Sequence, residues 1–263
     1  MRKNGLVILL LVSAMLSLTT PAKASTLLRI DVSGTSLTCD NSNAAGVTAC
    51  TAAGFTTALG GNAMTFTGTI NGVSFGGGGI TGVQLFGNSP GTPALAFVLD
   101  SATAVSNLSG AIRLVTLDFA GNNFMLPVGT GFLSAAQTAN WTMSANGDSQ
   151  AFTAWQRNDN ALVIPGAGVG GTTAVSPVCV SPGGLAQSCA SETLNVPAGP
   201  VAPYSLTGRQ VINMSPGSIA SYTGTSVLTA EQIPVQTPEP GSVLLLGAGL
   251  LLLAGRQRLA RKN

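Results

Sequence analysis

The 263-residue sequence predicts an all-β protein, an antiparallel β-sandwich of jelly-roll-like type, with an apolar helix at each end of the chain. Charged residues make up only 8% of the chain and 34 residues are glycine, a composition that favours strands and turns over helices. About ten short segments alternate apolar and polar residues, separated by Gly, Pro, Asn and Ser. No long amphipathic helix is evident between the two ends.

The candidate strands share a two-residue period. Residues 28–32 alternate apolar and charged side chains, as a half-buried strand should. Residues 64–70 repeat the pattern with threonines, and Asn71-Gly72 predicts a hairpin turn into a strand at 73–75. The remaining candidates are residues 80–86, 94–99, 111–119, 139–144, 151–156, 161–164, 204–214 and 218–229.

Two stretches between these strands are less regular. Residues 44–59 have the small side chains of a short helix, but Gly46, Gly54 and several threonines argue against one. The prolines between residues 197 and 203 predict an extended surface path. No charged or low-complexity linker interrupts residues 25–236, so we expect this part of the chain to form a single domain.

Residues 1–24 have the pattern of a secretory signal peptide. Arg2 and Lys3 precede an apolar run, and Ala22-Lys23-Ala24 is a small-x-small cleavage site. The alternative is an uncleaved membrane anchor. The run is shorter than the roughly 20 residues that span a bilayer, which favours cleavage before Ser25.

Residues 237–263 form a second, mirror-image pattern. Pro238-Glu239-Pro240 precedes an apolar run at 242–255, and four basic residues follow at the terminus: Arg256, Arg258, Arg261 and Lys262. An apolar run with a basic cytoplasmic flank is a stop-transfer pattern, although about 14 residues is short for a spanning helix. A buried core helix is the alternative, but the run has no polar face.

The Pro-Glu-Pro motif, the Leu/Gly/Ala-rich run and the basic end together resemble the PEP-CTERM sorting signal of Gram-negative bacteria. The resemblance covers residues 238–263. It implies export by the Sec machinery, an inner-membrane precursor facing the periplasm, and an exosortase that recognises Pro-Glu-Pro and removes the tail on the way to the cell surface. The alternative is that the tail remains as an anchor.

The charge distribution excludes a nucleic-acid partner. Between the two ends the chain has four arginines and eight acids, no lysine and no histidine, for a charge of about −4. Binding to phosphates needs clustered Lys and Arg. The same composition removes the usual catalytic groups, because Ser-His-Asp, Cys-His and lysine mechanisms all lack a member. A carboxylate pair, as in glycosidases, stays open in principle. We therefore expect no enzyme, no catalytic residue and no cofactor.

The four cysteines lie in two local pairs, Cys39 with Cys50 and Cys179 with Cys189. Outside the cytoplasm such pairs favour disulfides that close polar loops, although four cysteines allow three connectivities. Zinc is the alternative. It would require tight Cys-x-x-Cys pairs or histidines, which the sequence lacks, so no metal site is predicted.

Three local motifs have a structural explanation as well as a functional one. The glycines at 166–171 fit a dinucleotide fingerprint, but no helix start follows them, which favours a plain loop. Gly147-Asp148-Ser149 resembles an esterase nucleophile without its histidine and is predicted to be a turn. Asn158-Asp159-Asn160, and Asp118 with Asn122 and Asn123, offer calcium-binding oxygens without the spacing of a calcium loop.

Trp141 and Trp155 lie on candidate strands, where core packing is one explanation and stacking against a sugar the other. The sequence thus favours a non-enzymatic structural component of exopolysaccharide or biofilm. The alternative is an adhesin or carbohydrate-binding module that uses these tryptophans.

Overall fold

A computed structural model describes residues 24–163 and 171–231. Within these residues the chain has fifteen strands and one helix. The elements of the first half are β1 (Thr26–Val32), β2 (Thr35–Asp40), α1 (Ala44–Ala52), β3 (Phe55–Thr57), β4 (Ala63–Phe66), β5 (Gly68–Ile70), β6 (Val73–Gly77), β7 (Ile80–Thr81) and β8 (Val83–Gly87). Those of the second half are β9 (Leu95–Asn107), β10 (Arg113–Phe124), β11 (Gly131–Arg157), β12 (Thr172–Val175), β13 (Cys179–Ala198), β14 (Tyr204–Met214) and β15 (Ile219–Ala230).

Ten of the described strands pair antiparallel along one path, in the order β2-β1-β10-β14-β11-β15-β9-β8-β4-β3. Off this path, β12 and β13 pair with β11, and β6 pairs with β5, β7 and β9. The long strand β11 connects the two halves of this path: its residues 131–143 pair with β15, and its residues 149–157 pair with β14. The two layers therefore meet along β11, and the predicted all-β antiparallel sandwich is confirmed. The predicted terminal helices lie outside the described residues.

The core lies between the layers because alternate residues of each strand point inwards. Ile30, Phe119 and Ile212 come from one layer, and Leu85 and Leu228 from the other; all five are fully buried. Polar groups also cross the core. The Ser226 hydroxyl donates to the Thr207 carbonyl at 2.9 Å, which connects β15 to β14.

The β11–β13 ribbon folds back on itself. Cys179 pairs with Gln150 and Cys189 with Ala139, ten residues apart along β13. A straight strand of that length would span about 33 Å, yet the two cysteines have Cα atoms 5.7 Å apart. The pairing register shifts between Asn146 and Ser149, where β11 bends.

The helix α1 settles the question that the sequence left open at residues 44–59. The Asn43 side chain caps its first turn by accepting from the Gly46 N–H at 2.9 Å. The helix lies so close to the end of β2 that a Cβ at position 46 would be 2.1 Å from the Asp40 carbonyl oxygen. Gly46 fits there because it has no side chain. The Cys39–Cys50 disulfide joins the helix to β2.

One strand prediction was wrong and one strand was missed. Residues 161–163 form no strand, and Ile164 lies outside the described residues. Conversely, the turn-rich segment around Cys179 and Cys189 forms β13, since it pairs along almost the whole of β11 despite its Pro and Gly residues.

Candidate functional site

The outer face of the β1–β10–β14 layer carries the densest group of charges in the described chain. Arg29 pairs in register with Asp118, and Asp118 with Arg209, so the three side chains form one row across the layer. Asp31 lies two residues from Arg29, on the same face of β1. Two of the four arginines between residues 25 and 236 thus lie in this row.

Asp118 lies at the centre of this row and is 1% exposed. The Arg209 Nε donates to its Oδ1 at 2.6 Å, and the Arg209 Nη2 donates to its Oδ2 at 3.2 Å. Arg29 Nη1 is 3.9 Å from the same Oδ2, while Arg29 Nη2 donates to Asp31 Oδ2 at 3.2 Å. The hydrogen bonds to Asp118 raise the pKa of the Arg209 guanidinium above its ordinary value. All four side chains are therefore held in one network.

This network forms the polar part of an open groove of about 320 Å³. We call it the Arg–Asp groove. Arg29 and Arg209 keep 30% and 36% of their side-chain surface exposed there. Its lining residues are Arg29, Asp31, Leu114, Thr116, Asp118, Arg209 and Val211. It offers guanidinium donors, carboxylate acceptors, a hydroxyl and two apolar side chains within one small space.

The two predicted tryptophans lie in different places. Trp155 is partly exposed on β11, two residues beyond Thr153, which pairs with Arg209. It therefore lies on the same outer face as the groove, in the neighbouring row. Trp141 is 2% exposed and packs edge-on against Tyr222, with ring centroids 6.5 Å apart.

Trp141 nevertheless lines a second recess. This opening of about 530 Å³ lies between β11 and β13. Its wall includes Leu185, which is largely exposed, together with Asn140 and Gln187. Its lining among the described residues contains no charged side chain, so this recess offers fewer polar groups for binding than the Arg–Asp groove.

The predicted disulfides Cys39–Cys50 and Cys179–Cys189 are both confirmed, in the pairing expected from proximity. Among residues 24–163 and 171–231, no three His, Cys, Asp or Glu side chains converge in a way that would hold a metal ion.

The acidic and asparagine residues of the local motifs form hydrogen bonds or ion pairs with other residues of the chain. Gly147-Asp148-Ser149 does not form the predicted turn but lies within β11, at the register shift between Asn146 and Ser149. Asp148 accepts there from the backbone N–H groups of Ala145 and Ser215. Asp159 forms an ion pair with Arg157 at 2.6 Å. The side chains of Asn160 and Asn123 hydrogen-bond to each other. The glycine motif at 166–171 lies outside the described residues except for Gly171.

The sequence did not predict the Arg–Asp groove. Alternation in β1 places Arg29 and Asp31 on one face, and that signal was visible. Asp118 and Arg209 are 91 residues apart, and no local pattern places them opposite each other. The sorting residues Pro238, Glu239 and Pro240 and the basic tail lie outside the described residues.

The family model of the PEP-CTERM protein-sorting motif matches residues 236–259. The chain therefore carries this sorting motif at its C-terminus, as its Pro-Glu-Pro motif and basic end predicted. The motif and the two disulfides indicate an exported protein, and the motif implies an exosortase as processing partner. Within residues 24–163 and 171–231, no helix has the length and apolarity needed to cross a membrane.

No curated protein matches the chain. Among solved structures, the carbohydrate-binding module TmCBM61 in complex with beta-1,4-galactotriose is 12% identical; the alignment covers 57% of this chain and 88% of that one, with a TM-score of 0.28. Carbohydrate-binding modules of the β-sandwich superfamily are 12% identical, covering 59% and 56%, with a TM-score of 0.24. The infectious bursal disease virus VP2 subviral particle is 12% identical, covering 90% and 72%, with a TM-score of 0.15.

Proposed function

We propose that the protein is a non-enzymatic structural component of the bacterial cell surface or extracellular matrix, held in exopolysaccharide or biofilm. The observation that carries this proposal is the sorting motif at 236–259, at the end of a chain whose described part is a disulfide-bridged sandwich. Sorting delivers the sandwich outside the cell. Disulfides persist there and stabilise the fold.

The hydrogen bonds of the two carboxylates in the Arg–Asp groove support a non-enzymatic role. A glycosidase needs one carboxyl group to protonate the leaving oxygen and another to attack or activate water. Both oxygens of Asp118 accept from Arg209, and Asp31 accepts from Arg29 and from the Gly34 N–H. Both carboxylates hold arginine side chains in place, which supports a structural role for them.

The proposal includes two processing steps. Signal cleavage before Ser25 releases the N-terminus, and the segment at 242–255 holds the precursor in the inner membrane until exosortase cuts near Pro238-Glu239-Pro240. The intact mass of the protein recovered from the culture surface tests both steps. A mass that contains residues 1–24, or that retains the basic tail, would contradict the corresponding step.

The matrix role is tested in the native host with the full chain. Deletion of the gene is expected to weaken the biofilm matrix, and complementation with the full chain is expected to restore it. A variant with alanine at 238–240 should fold but fail to restore the matrix, because the protein would remain with the cells. A biofilm of normal strength in the deletion strain would overturn the proposal.

A second candidate, a surface adhesin or carbohydrate-binding module, is favoured by one specific observation. Trp155 lies partly exposed beside the Arg–Asp groove on the same sheet face, and aromatic rings with nearby polar groups are what sugar sites use. The test is retention of the purified mature protein in gels that contain soluble polysaccharides. Trp155→Ala should reduce the retention, while Val201→Ala, an exposed apolar side chain outside the groove lining, should not.

A further inference from the structure

We infer that the Arg–Asp groove is a subsite for neutral sugars, in which one residue of a polysaccharide chain places its hydroxyl groups between the guanidinium and carboxylate groups. This inference rests on the carbohydrate-binding function proposed above. It adds the class of ligand and the side chains that recognise it.

The groove has hydrogen-bonding capacity beyond its internal network. A guanidinium group has five N–H donors, and within the described residues Arg209 uses two of them on Asp118, the Nε hydrogen and one Nη2 hydrogen. An ionised carboxylate has about four acceptor positions, of which Asp31 uses two, for Arg29 and the Gly34 N–H. Thr116 adds a hydroxyl that both donates and accepts. Donors and acceptors therefore alternate along the groove.

The charge of the groove identifies the ligand class. Two arginines and two aspartates give a formal charge of zero, and both arginines are already paired with carboxylates. A uronate or phosphate would compete with Asp118 for Arg209 and would lie close to Asp31. A sugar hydroxyl both donates and accepts, so a pair of neighbouring hydroxyls matches an adjacent guanidinium and carboxylate without adding charge.

The groove is also pre-organised. Asp118 is buried and holds Arg209 with two hydrogen bonds, so binding does not have to order that long side chain. Leu114 and Val211 provide apolar surface for the C–H face of a sugar ring. The volume of about 320 Å³ lies at the lower end of the roughly 300–1,000 Å³ of small-ligand pockets.

The experiment measures gel retention of the purified mature protein on a neutral galactan, a neutral β-glucan and alginate, an anionic polysaccharide. The variants are Arg209→Gln, which breaks the network, and Thr116→Val, which replaces the hydroxyl with a methyl group of similar size. Arg157→Gln is the matched control, because Arg157 forms an ion pair with Asp159 and does not line the groove. Melting temperature and circular dichroism are recorded for every variant, and Thr116→Val decides the outcome if Arg209→Gln unfolds.

Retention on a neutral polysaccharide, weakened about tenfold by the groove variants and unchanged by Arg157→Gln, supports the inference. Such binding should also change little with salt, since no net charge is neutralised. Neutral binding that survives Thr116→Val and Arg209→Gln overturns the groove assignment and leaves carbohydrate binding standing. Salt-sensitive retention on alginate, without retention on either neutral polysaccharide, overturns the assignment of the groove to neutral sugars. No retention on any polysaccharide overturns both the inference and the carbohydrate-binding candidate.

Discussion

The side-chain amide of Gln210 on β14 donates a hydrogen bond of 2.7 Å to the Asp100 carboxyl group on β9, through the middle of the core. Both residues are fully buried. The Gln150 amide in turn donates to Gln210 Oε1 at 2.5 Å and to the Thr223 carbonyl at 2.8 Å. This polar chain joins the two layers of the sandwich. The other Asp100 oxygen, Oδ1, has no partner in the described chain.

Burial raises the pKa of Asp100 from 3.8 to about 8, a shift that the Gln210 hydrogen bond only partly opposes. The folded state therefore holds a proton that the unfolded state releases near pH 4. The stabilising contribution is complete below pH 4 and is lost as the pH rises towards 8. We expect Asp100→Asn to remove this dependence, which amounts to at most about 1.4 kcal/mol per pH unit.

The measurement is urea unfolding of the purified mature protein and of Asp100→Asn between pH 4 and pH 9. As the pH rises, the unfolding free energy of the wild type should fall relative to that of Asp100→Asn. Glu192→Gln, at an exposed carboxylate, is the control. Parallel stability curves for wild type and Asp100→Asn would show that Asp100 ionises normally in the folded state.

A side chain at Gly208 is expected to disrupt the core. Gly208 pairs with Phe119, and a Cβ there would lie 2.3 Å from the Phe119 ring, which stacks against Phe152 with centroids 5.9 Å apart. The ring has to shift within a packed layer, so Gly208→Ala should cost about 1–3 kcal/mol in urea unfolding. Gly110→Ala is the control, because nothing lies within 4 Å of a Cβ there. Equal stability of the two variants would contradict the packing argument.

The two disulfides should contribute about equally to the free energy of unfolding. The bridges close loops of sequence separation 11 for Cys39–Cys50 and 10 for Cys179–Cys189. The chain-entropy relation gives about 2–3 kcal/mol for loops of this size. Serine double variants of each pair, compared with wild type by urea unfolding, test this expectation. Free thiols detected in the exported wild-type protein would contradict the pairing itself.

Asp148 is expected to be a strong stabilising residue. Its carboxylate accepts from Ala145 N–H at 3.0 Å, from Ser215 N–H at 2.8 Å and from the Ser218 hydroxyl. It thereby ties the bend of β11 to the turn between β14 and β15. Asp148→Ala leaves these donors without a partner and should cost at least about 2 kcal/mol, since each buried unpaired group costs roughly 1–3 kcal/mol.

Thermal and urea unfolding of the Asp148 variant measure this cost. Asp159→Ala serves for comparison, because Asp159 forms an ion pair with Arg157 while remaining substantially exposed. Surface pairs of that kind contribute about 0–1 kcal/mol. A loss for Asp148→Ala no greater than that for Asp159→Ala would show that the β14–β15 turn does not depend on the carboxylate.

Local periodicity predicted several strands well. Residues 204–214 were expected to form a strand and do so with the same limits, because their alternation is regular and their turns are marked by Pro and Gly. Residues 179–198 were missed. Their strand character comes from pairing with β11, a partner that the composition of Pro, Gly and Ser in the segment gives no means of anticipating.

The sequence singled out two tryptophans as possible ligand contacts but did not predict the Arg–Asp groove. Trp155 was identified from the sequence and lies on the outer face, whereas Trp141, identified on the same grounds, is buried against Tyr222. A tryptophan has the same strand propensity in either position. The layer that covers it decides its exposure, and that layer comes from distant parts of the chain.

Linear features of the chain were enough to predict its sorting motif, its export and the alternation of apolar and polar residues in many of its strands. The signal pattern, the Pro-Glu-Pro motif and the basic tail are linear features, and so is the spacing of the cysteines. Tertiary structure alone decided the meeting of Arg29, Asp118 and Arg209, because strands β1, β10 and β14 come together only through long-range antiparallel pairing. Side-chain alternation is a local property, whereas the neighbour across a strand is set by topology and register.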